Sequence, residues 1–183
     1  MGYEKGTGLT YSTPKTSTNE YGTPPQLIRR LEGALGEKFD LDPCSGAERD
    51  PIAKEKYTKD DDGLSKPWFG NVFVNPPFSD CEMWAKKSYD EQQNGGAERV
   101  VLLLPVRLAT GYFHDYLSAA DALCFPRGRI NYCNSEGVVN GVPFASYIVV
   151  FGDPSPFLRL FDELGTVFTP NDIYERAEQQ TLS

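Results

Sequence analysis

Asn75, Pro76, Pro77 and Phe78 stand directly after the run Asn71-Val72-Phe73-Val74. The β-branched and aromatic run reads as a strand. The prolines end it, because each lacks a backbone donor and fixes its own φ. Such an exit offers a side-chain amide, proline carbonyls free of local partners and a ring face within four residues. An amide oxygen and a carbonyl can accept from the two N–H groups of a planar amine. An aromatic side chain can stack on the ring that carries that amine. The chemistry implied is the gripping of a flat base through its exocyclic amino group. The same four residues also make an ordinary turn after a strand, so the weight rests on their neighbours.

The elements that would position this exit alternate along the chain. A helix starts at Thr23, which can cap it; Pro24 and Pro25 suit its first turn. Leu27, Ile28, Leu31 and Leu35 form its apolar face, and Gly36 ends it. Strands are expected at Phe39–Asp42, 71–74, Val100–Leu104, 121–125 and Ala145–Phe151. Helices are expected near 80–93, 111–119 and 156–164. Alternation of this kind predicts an α/β fold with a mostly parallel central sheet, helices on both faces and sites at the carboxyl ends of strands. The chain length suits a single domain over residues 19–174, with a loose tail at 1–18 and a polar tail at 175–183.

Composition removes several function classes. The chain is 39% hydrophobic and 13% aromatic, which suits a globular core. No apolar run approaches the ~18 residues of a membrane span. The polar amino-terminal stretch lacks the apolar centre of a secretory signal, so a cytoplasmic location is expected. Cys44, Cys81, Cys124 and Cys133 are scattered, and His114 is the single histidine. That leaves no zinc set and no histidine-based nucleophile scheme, and reduced thiols are expected. His114 reads as a packing or surface residue. The net charge of −8 argues against a polyanion partner for the whole surface. Arg99, Arg107, Arg127 and Arg129 fall near expected strand ends, where they could form a local basic face on an acidic body.

Thr23-Pro24-Pro25, Asp40-Leu41-Asp42-Pro43-Cys44, Asp62-Gly63-Leu64, Trp68 and Asn75-Pro76-Pro77-Phe78 occur in this order at close spacing. Together they resemble the phage-type Dam family of DNA adenine-N6 methyltransferases. The likeness is densest over residues 20–84 and extends more weakly through Val101–Pro105, Gly128-Arg129 and 144–151. It implies a Rossmann-like methyltransferase fold, S-adenosylmethionine as methyl donor, DNA as partner and no metal. It assigns Thr23, Pro24 and Pro25 to the methionine end of the cofactor. Asp40, Asp42, Pro43 and Cys44 would lie under the cofactor, although only Gly46 remains of a Gly-rich signature. Asp62 and Leu64 match the place of an acidic contact to the cofactor's adenine. Asn75, Pro76, Pro77 and Phe78 match the catalytic motif, and Arg107, Arg127 and Arg129 become candidate phosphate contacts.

The chemistry supports the same residues. The adenine amino nitrogen is a poor nucleophile because its lone pair is delocalised into the ring. Acceptors on both its N–H groups, from the Asn75 oxygen and the Pro76 carbonyl, favour a pyramidal nitrogen with an available lone pair. A sulfonium methyl is already activated, so positioning is the main task left. The base must leave the duplex stack to be reached. Plainer roles exist for each piece. Thr23-Pro24-Pro25 is also a common helix start, and the 60–62 aspartates suit a solvated turn. Trp84 at helical spacing suits a core better than a DNA wedge, and Phe144 could pack by the site or fill the core. Alternatives for the whole chain are a methyltransferase acting on another planar amino group, in RNA or protein glutamine, and a non-catalytic nucleic-acid-binding module.

Overall fold

The computed structural model describes residues 21–46, 52–134, 137–138 and 142–170. The expected tails at 1–18 and 175–183 lie outside the described residues. Helix α1 spans Pro25–Leu35 and buries Leu27, Ile28 and Leu31. Gly36 ends it at φ 84°, with its N–H donating to the Glu32 carbonyl at 2.8 Å. That left-handed backbone is why a glycine stands there. Pro24, not Thr23, occupies the cap position, and no side chain caps the helix.

Among the described residues nine strands follow in chain order: β1 Phe39–Asp42, β2 Ala53–Lys56, β3 Gly70–Val74, β4 Ala97–Pro105, β5 Ala122–Pro126, β6 Cys133–Asn134, β7 Gly137–Val138, β8 Ser146–Phe151 and β9 Gly165–Phe168. Seven of them form one sheet in the order β2-β1-β3-β4-β8-β5-β9, and β6 and β7 make a separate short hairpin. Helix α2 covers Cys81–Gln93, α3 Gly111–Asp115 and α4 Leu158–Leu164, with a 3-10 turn at Leu117–Ala119.

The expectation of a mostly parallel sheet needs correction. The junctions β2/β1, β1/β3 and β3/β4 are parallel. The junctions β4/β8, β8/β5 and β5/β9 are antiparallel. The cause is the return from β5 to β8, which passes through the β6/β7 hairpin and contains no crossover helix among the described residues. A parallel return needs a crossover, whereas an antiparallel one does not. Strand β8 is buried at every residue, so its apolar run reads alike in either direction. β5 nonetheless points the same way as β4, because both oppose β8. The carboxyl ends of β1, β3, β4 and β5 therefore share one edge of the sheet.

Helices cover both faces. Cys124 of β5 pairs with Ile148 of β8, so their side chains share a face. The Cys124 thiol reaches the Phe161 carbonyl of α4 at 3.9 Å. Phe151, three positions beyond Ile148 and so on the other face, meets Tyr89 of α2 edge-on at 5.9 Å. The core runs through the central strands, with Val72, Val100 to Leu104 and Tyr147 to Phe151 wholly buried. Trp84 belongs to it, 7% exposed and stacked on Trp68 at 6.0 Å.

Candidate active site

From β1 the chain passes to β2 on one side, while β3 pairs on the other. The strand order reverses here, and in open α/β sheets ligands bind outside the carboxyl ends of strands at such a point. Asp42-Pro43-Cys44 leaves one side of this crevice and Asn75-Pro76-Pro77-Phe78 the other. The Cys44 thiol lies against the Asn75 backbone N–H, which joins the two exits.

Asn75 has its amide fully engaged on one side only. Its Nδ2 donates to the Tyr21 carbonyl at 2.6 Å and to Thr23 Oγ1 at 3.0 Å. Its Oδ1 is buried and has no partner among the described residues. A buried acceptor left alone costs about 1–3 kcal/mol, so an orphan of this kind calls for an explanation. The Pro77 carbonyl, expected free, accepts from the Asp80 N–H at 2.9 Å as α2 begins. Of the two proline carbonyls at this exit, that leaves the one of Pro76, next to Asn75 in the chain, without a hydrogen bond among the described residues.

Phe78 is 8% exposed and boxed by rings. Tyr21 stacks on it at 5.2 Å and 18°, while Tyr132 and Phe144 meet it edge-on at 5.7 and 5.1 Å. The Tyr132 hydroxyl is fixed by Ser146 Oγ at 2.8 Å. Two short backbone bonds join Gly22 to Cys133, at 2.7 and 2.8 Å, and pin the Tyr21 segment to the β6 strand. Neither Tyr21 nor Tyr132 stands out in the sequence. The only signal is an aromatic two residues before Thr23, and Tyr132 falls in a stretch with no periodicity.

On the β1 side, Asp42 is buried at the strand end and accepts from the Cys44 N–H at 3.1 Å. Burial pushes its carboxyl up to about 6, against the lowering effect of that hydrogen bond. Burial and the neighbouring Asp42 charge push the Cys44 thiol well above its ordinary value. The segment Asp62-Gly63-Leu64 is folded directly onto this end. A Cβ on Gly63 would overlap the Pro43 carbonyl, and Trp68 Nε1 donates to the Gly63 carbonyl at 2.8 Å. Asp62 adopts φ 53°, and its carbonyl receives both Ser65 N and Ser65 Oγ. Its side chain is exposed and Leu64 is half-buried.

Asp40 does not join the cluster. Its carboxylate receives the Asn71 N–H at the amino end of β3 and Lys54 Nζ, each at 2.8 Å. Burial opposes ionisation there, but these contacts together hold it below its usual value. Pro24 and Pro25 turn the chain from Thr23 into α1. Arg107, Arg127 and Arg129 follow carboxyl ends of β4 and β5 at the same sheet edge, whereas Arg99 is buried within β4, its Nε donating to the Asp153 carbonyl at 2.6 Å, and so takes no part in a basic face. Arg107 Nη1 reaches the Phe78 carbonyl at 3.3 Å, and Arg129 Nη1 the Val142 carbonyl at 2.8 Å. The Arg127 side chain is exposed, as is His114. Among the described residues no acidic, cysteine and histidine group is arranged to hold a metal, and no helix is long and apolar enough to cross a membrane.

Comparison with known proteins identifies the family. The family model DNA N-6-adenine-methyltransferase (Dam) matches residues 10–155. A curated relative, the DNA N-6-adenine-methyltransferase of Escherichia phage T1, is 30% identical over 106 residues. The matched stretch is 57% of this chain and 43% of the relative, so this chain spans less than half of that protein's length.

Proposed function

The chain belongs to the DNA N-6-adenine-methyltransferase (Dam) family, and from that premise we propose that it transfers a methyl group from S-adenosylmethionine to the exocyclic N6 of adenine in DNA. The observation that carries this reading is the orphaned Asn75 Oδ1, buried at a strand exit beside the unpaired Pro76 carbonyl. Two acceptors next to each other suit an amine with two N–H groups. The sheet order supports the finer fold reading as well: a Rossmann-like half, β2-β1-β3-β4, with its switch point between β1 and β3.

S-adenosylmethionine supplies a methyl on a sulfonium, a good leaving group that needs no metal to activate it. The residues that would hold it are Pro24 and Pro25 at the start of α1 and Asp42, Pro43, Cys44, Asp62 and Leu64 at the β1 exit; the Thr23 hydroxyl is already taken by Asn75. They fit the task in two respects. Asp42 is a buried carboxylate that accepts from the Cys44 N–H at 3.1 Å and has the Cys44 and Ser45 side chains as further partners, and a carboxylate's four lone-pair sites leave acceptor capacity for a hydroxyl or amino group. Gly63 and Pro43 close against each other without a side chain between them, which gives the β1 exit a fixed floor.

Asn75 and Pro76 take the two N–H groups of the target amine and turn its lone pair outward. Phe78 holds the base plane by stacking, a role its ring box keeps rigid. As the nitrogen gains a methyl it must shed one proton, which passes finally to solvent. Arg107, Arg127 and Arg129 give the edge a basic rim for phosphates, despite a net charge of −8.

Labelled methyl incorporation tests the substrate, with DNA, RNA and protein offered side by side. Sequencing of DNA from cells that express the protein should show modified adenine. Label in RNA or in glutamine side chains, with none in DNA, would replace the adenine reading; no cofactor binding in a direct titration would replace the enzyme reading.

A further inference from the structure

Thr23 stands where the family likeness assigns it to the cofactor, yet its hydroxyl is bonded to something else. It receives Asn75 Nδ2 at 3.0 Å, and Thr23 itself is 6% exposed. The second Nδ2 hydrogen goes to the Tyr21 carbonyl at 2.6 Å. A backbone carbonyl can only accept, so the amide atom facing it must be the nitrogen. With that orientation set, Thr23 Oγ1 also acts as acceptor. Both amide hydrogens are used, and Oδ1 is left facing away, buried and unpaired. The clamp is itself fixed, because Gly22, between the two acceptors, is bonded in both directions to Cys133.

We propose that Thr23 is a positioning residue for catalysis: together with the Tyr21 carbonyl it locks the Asn75 amide in one orientation and so presents Oδ1 to the target amine. This rests on the adenine-methyltransferase reading and adds a requirement to it. The clamp makes asparagine, and not aspartate, the working residue at position 75. An aspartate would set an oxygen against the Tyr21 carbonyl at hydrogen-bond distance with no hydrogen between them. The carboxylate would swing away, although it is the stronger acceptor for an amine.

The test uses the full chain and two readouts. In NMR spectra the Asn75 side-chain amide is identified by its loss in Asn75→Asp. Its two hydrogens should exchange slowly with solvent in the unmodified protein and in Thr23→Ser. One of them should exchange at least about tenfold faster in Thr23→Val, where the acceptor is gone. In single-turnover methyl transfer at saturating S-adenosylmethionine, Thr23→Val should be slowed at least about tenfold with cofactor affinity unchanged. Thr23→Ser should keep nearly the full rate, and Asn75→Asp should be as slow as Asn75→Ala. Unchanged amide exchange in Thr23→Val overturns the proposal. So does a rate loss that saturating cofactor restores, or an Asn75→Asp variant working at the unmodified rate. If the protein transfers no methyl to adenine, the function reading fails, and the exchange measurement still decides for or against the clamp.

Discussion

The Tyr21 ring lies on the ring of Phe78, centroids 5.2 Å apart and planes 18° from parallel. The proposed base platform is therefore backed on one face by a ring from a segment 57 positions upstream in the chain. A double-mutant cycle on stability, with Tyr21→Ala and Phe78→Ala singly and together, should give a coupling of about 0.5–1.5 kcal/mol. Denaturant melts measure it; additive losses would mean that the two rings do not support each other. Phe78→Ala should also weaken the hold on single-stranded DNA by roughly 1–3 kcal/mol, seen as a higher dissociation constant.

Asn75→Ala removes one acceptor of the proposed pair. Methyl transfer should slow by at least ~10²-fold, with cofactor affinity nearly unchanged. Radiolabel transfer and a cofactor titration on the same preparation separate the two effects. A rate equal to that of the unmodified protein would remove Asn75 from the mechanism.

Asp42 gives the protein a pH signature. Its folded value of about 6 lies above the ordinary 3.8, so the folded state keeps a proton that the unfolded chain has already lost. Stability should fall as pH rises from about 4 to 6 and remain lower above that, by something on the order of 1–3 kcal/mol. Asp42→Asn keeps an oxygen for the Cys44 N–H and abolishes the burial of charge. It should be more stable than the parent at pH 7.5 and equal to it below pH 4, while binding cofactor less well at neutral pH. Urea melts at both pH values, with a cofactor titration, check all three.

Gly63 has no room for a side chain, since a Cβ would enter the Pro43 carbonyl. Gly63→Ala should cost about 1–3 kcal/mol and push the 60–64 segment off the β1 exit. Thermal melts read the first effect and weakened cofactor binding the second. An unaltered melt would show that this packing is soft.

Arg107 is exposed and borders the Phe78 carbonyl at 3.3 Å. If it meets a phosphate, Arg107→Ala should weaken DNA binding alike for all sequences and lower the salt slope by about one. Binding isotherms at several salt concentrations decide this, and an unchanged slope would confine Arg107 to holding the turn.

Much of the site could be read before folding was considered, because its chemistry is local. Asn75 to Phe78 carry a strand end, an amide and a ring within four adjacent positions, and the structure keeps them so. Helix α1, with Leu27, Ile28 and Leu31 on one face and Gly36 at its end, was legible for the same reason. Long-range partners were not. Nothing near Thr23 says that its hydroxyl meets Asn75 instead of capping α1. Tyr21 and Tyr132 gain meaning only once the Gly22–Cys133 bridge forms. Strand β2 escaped because Lys54, Glu55 and Lys56 are exposed and charged, as suits an edge that must not pair further. Strand β9 alternates half-buried and exposed residues directly after α4, with no turn cluster to announce it. The direction of β8 was hidden because a strand covered on both faces carries no mark of polarity.

The Gly22–Cys133 bridge also has a temporal meaning. The acceptors that orient Asn75 belong to the start of the chain, and the strand that anchors them is more than a hundred positions later. A nascent chain emerging from the ribosome would carry the Asn75 to Phe78 segment long before it could hold that segment in register. Closure of that long loop is entropically expensive and comes late. The proposed methyl transfer would then become possible only as one of the last events of maturation.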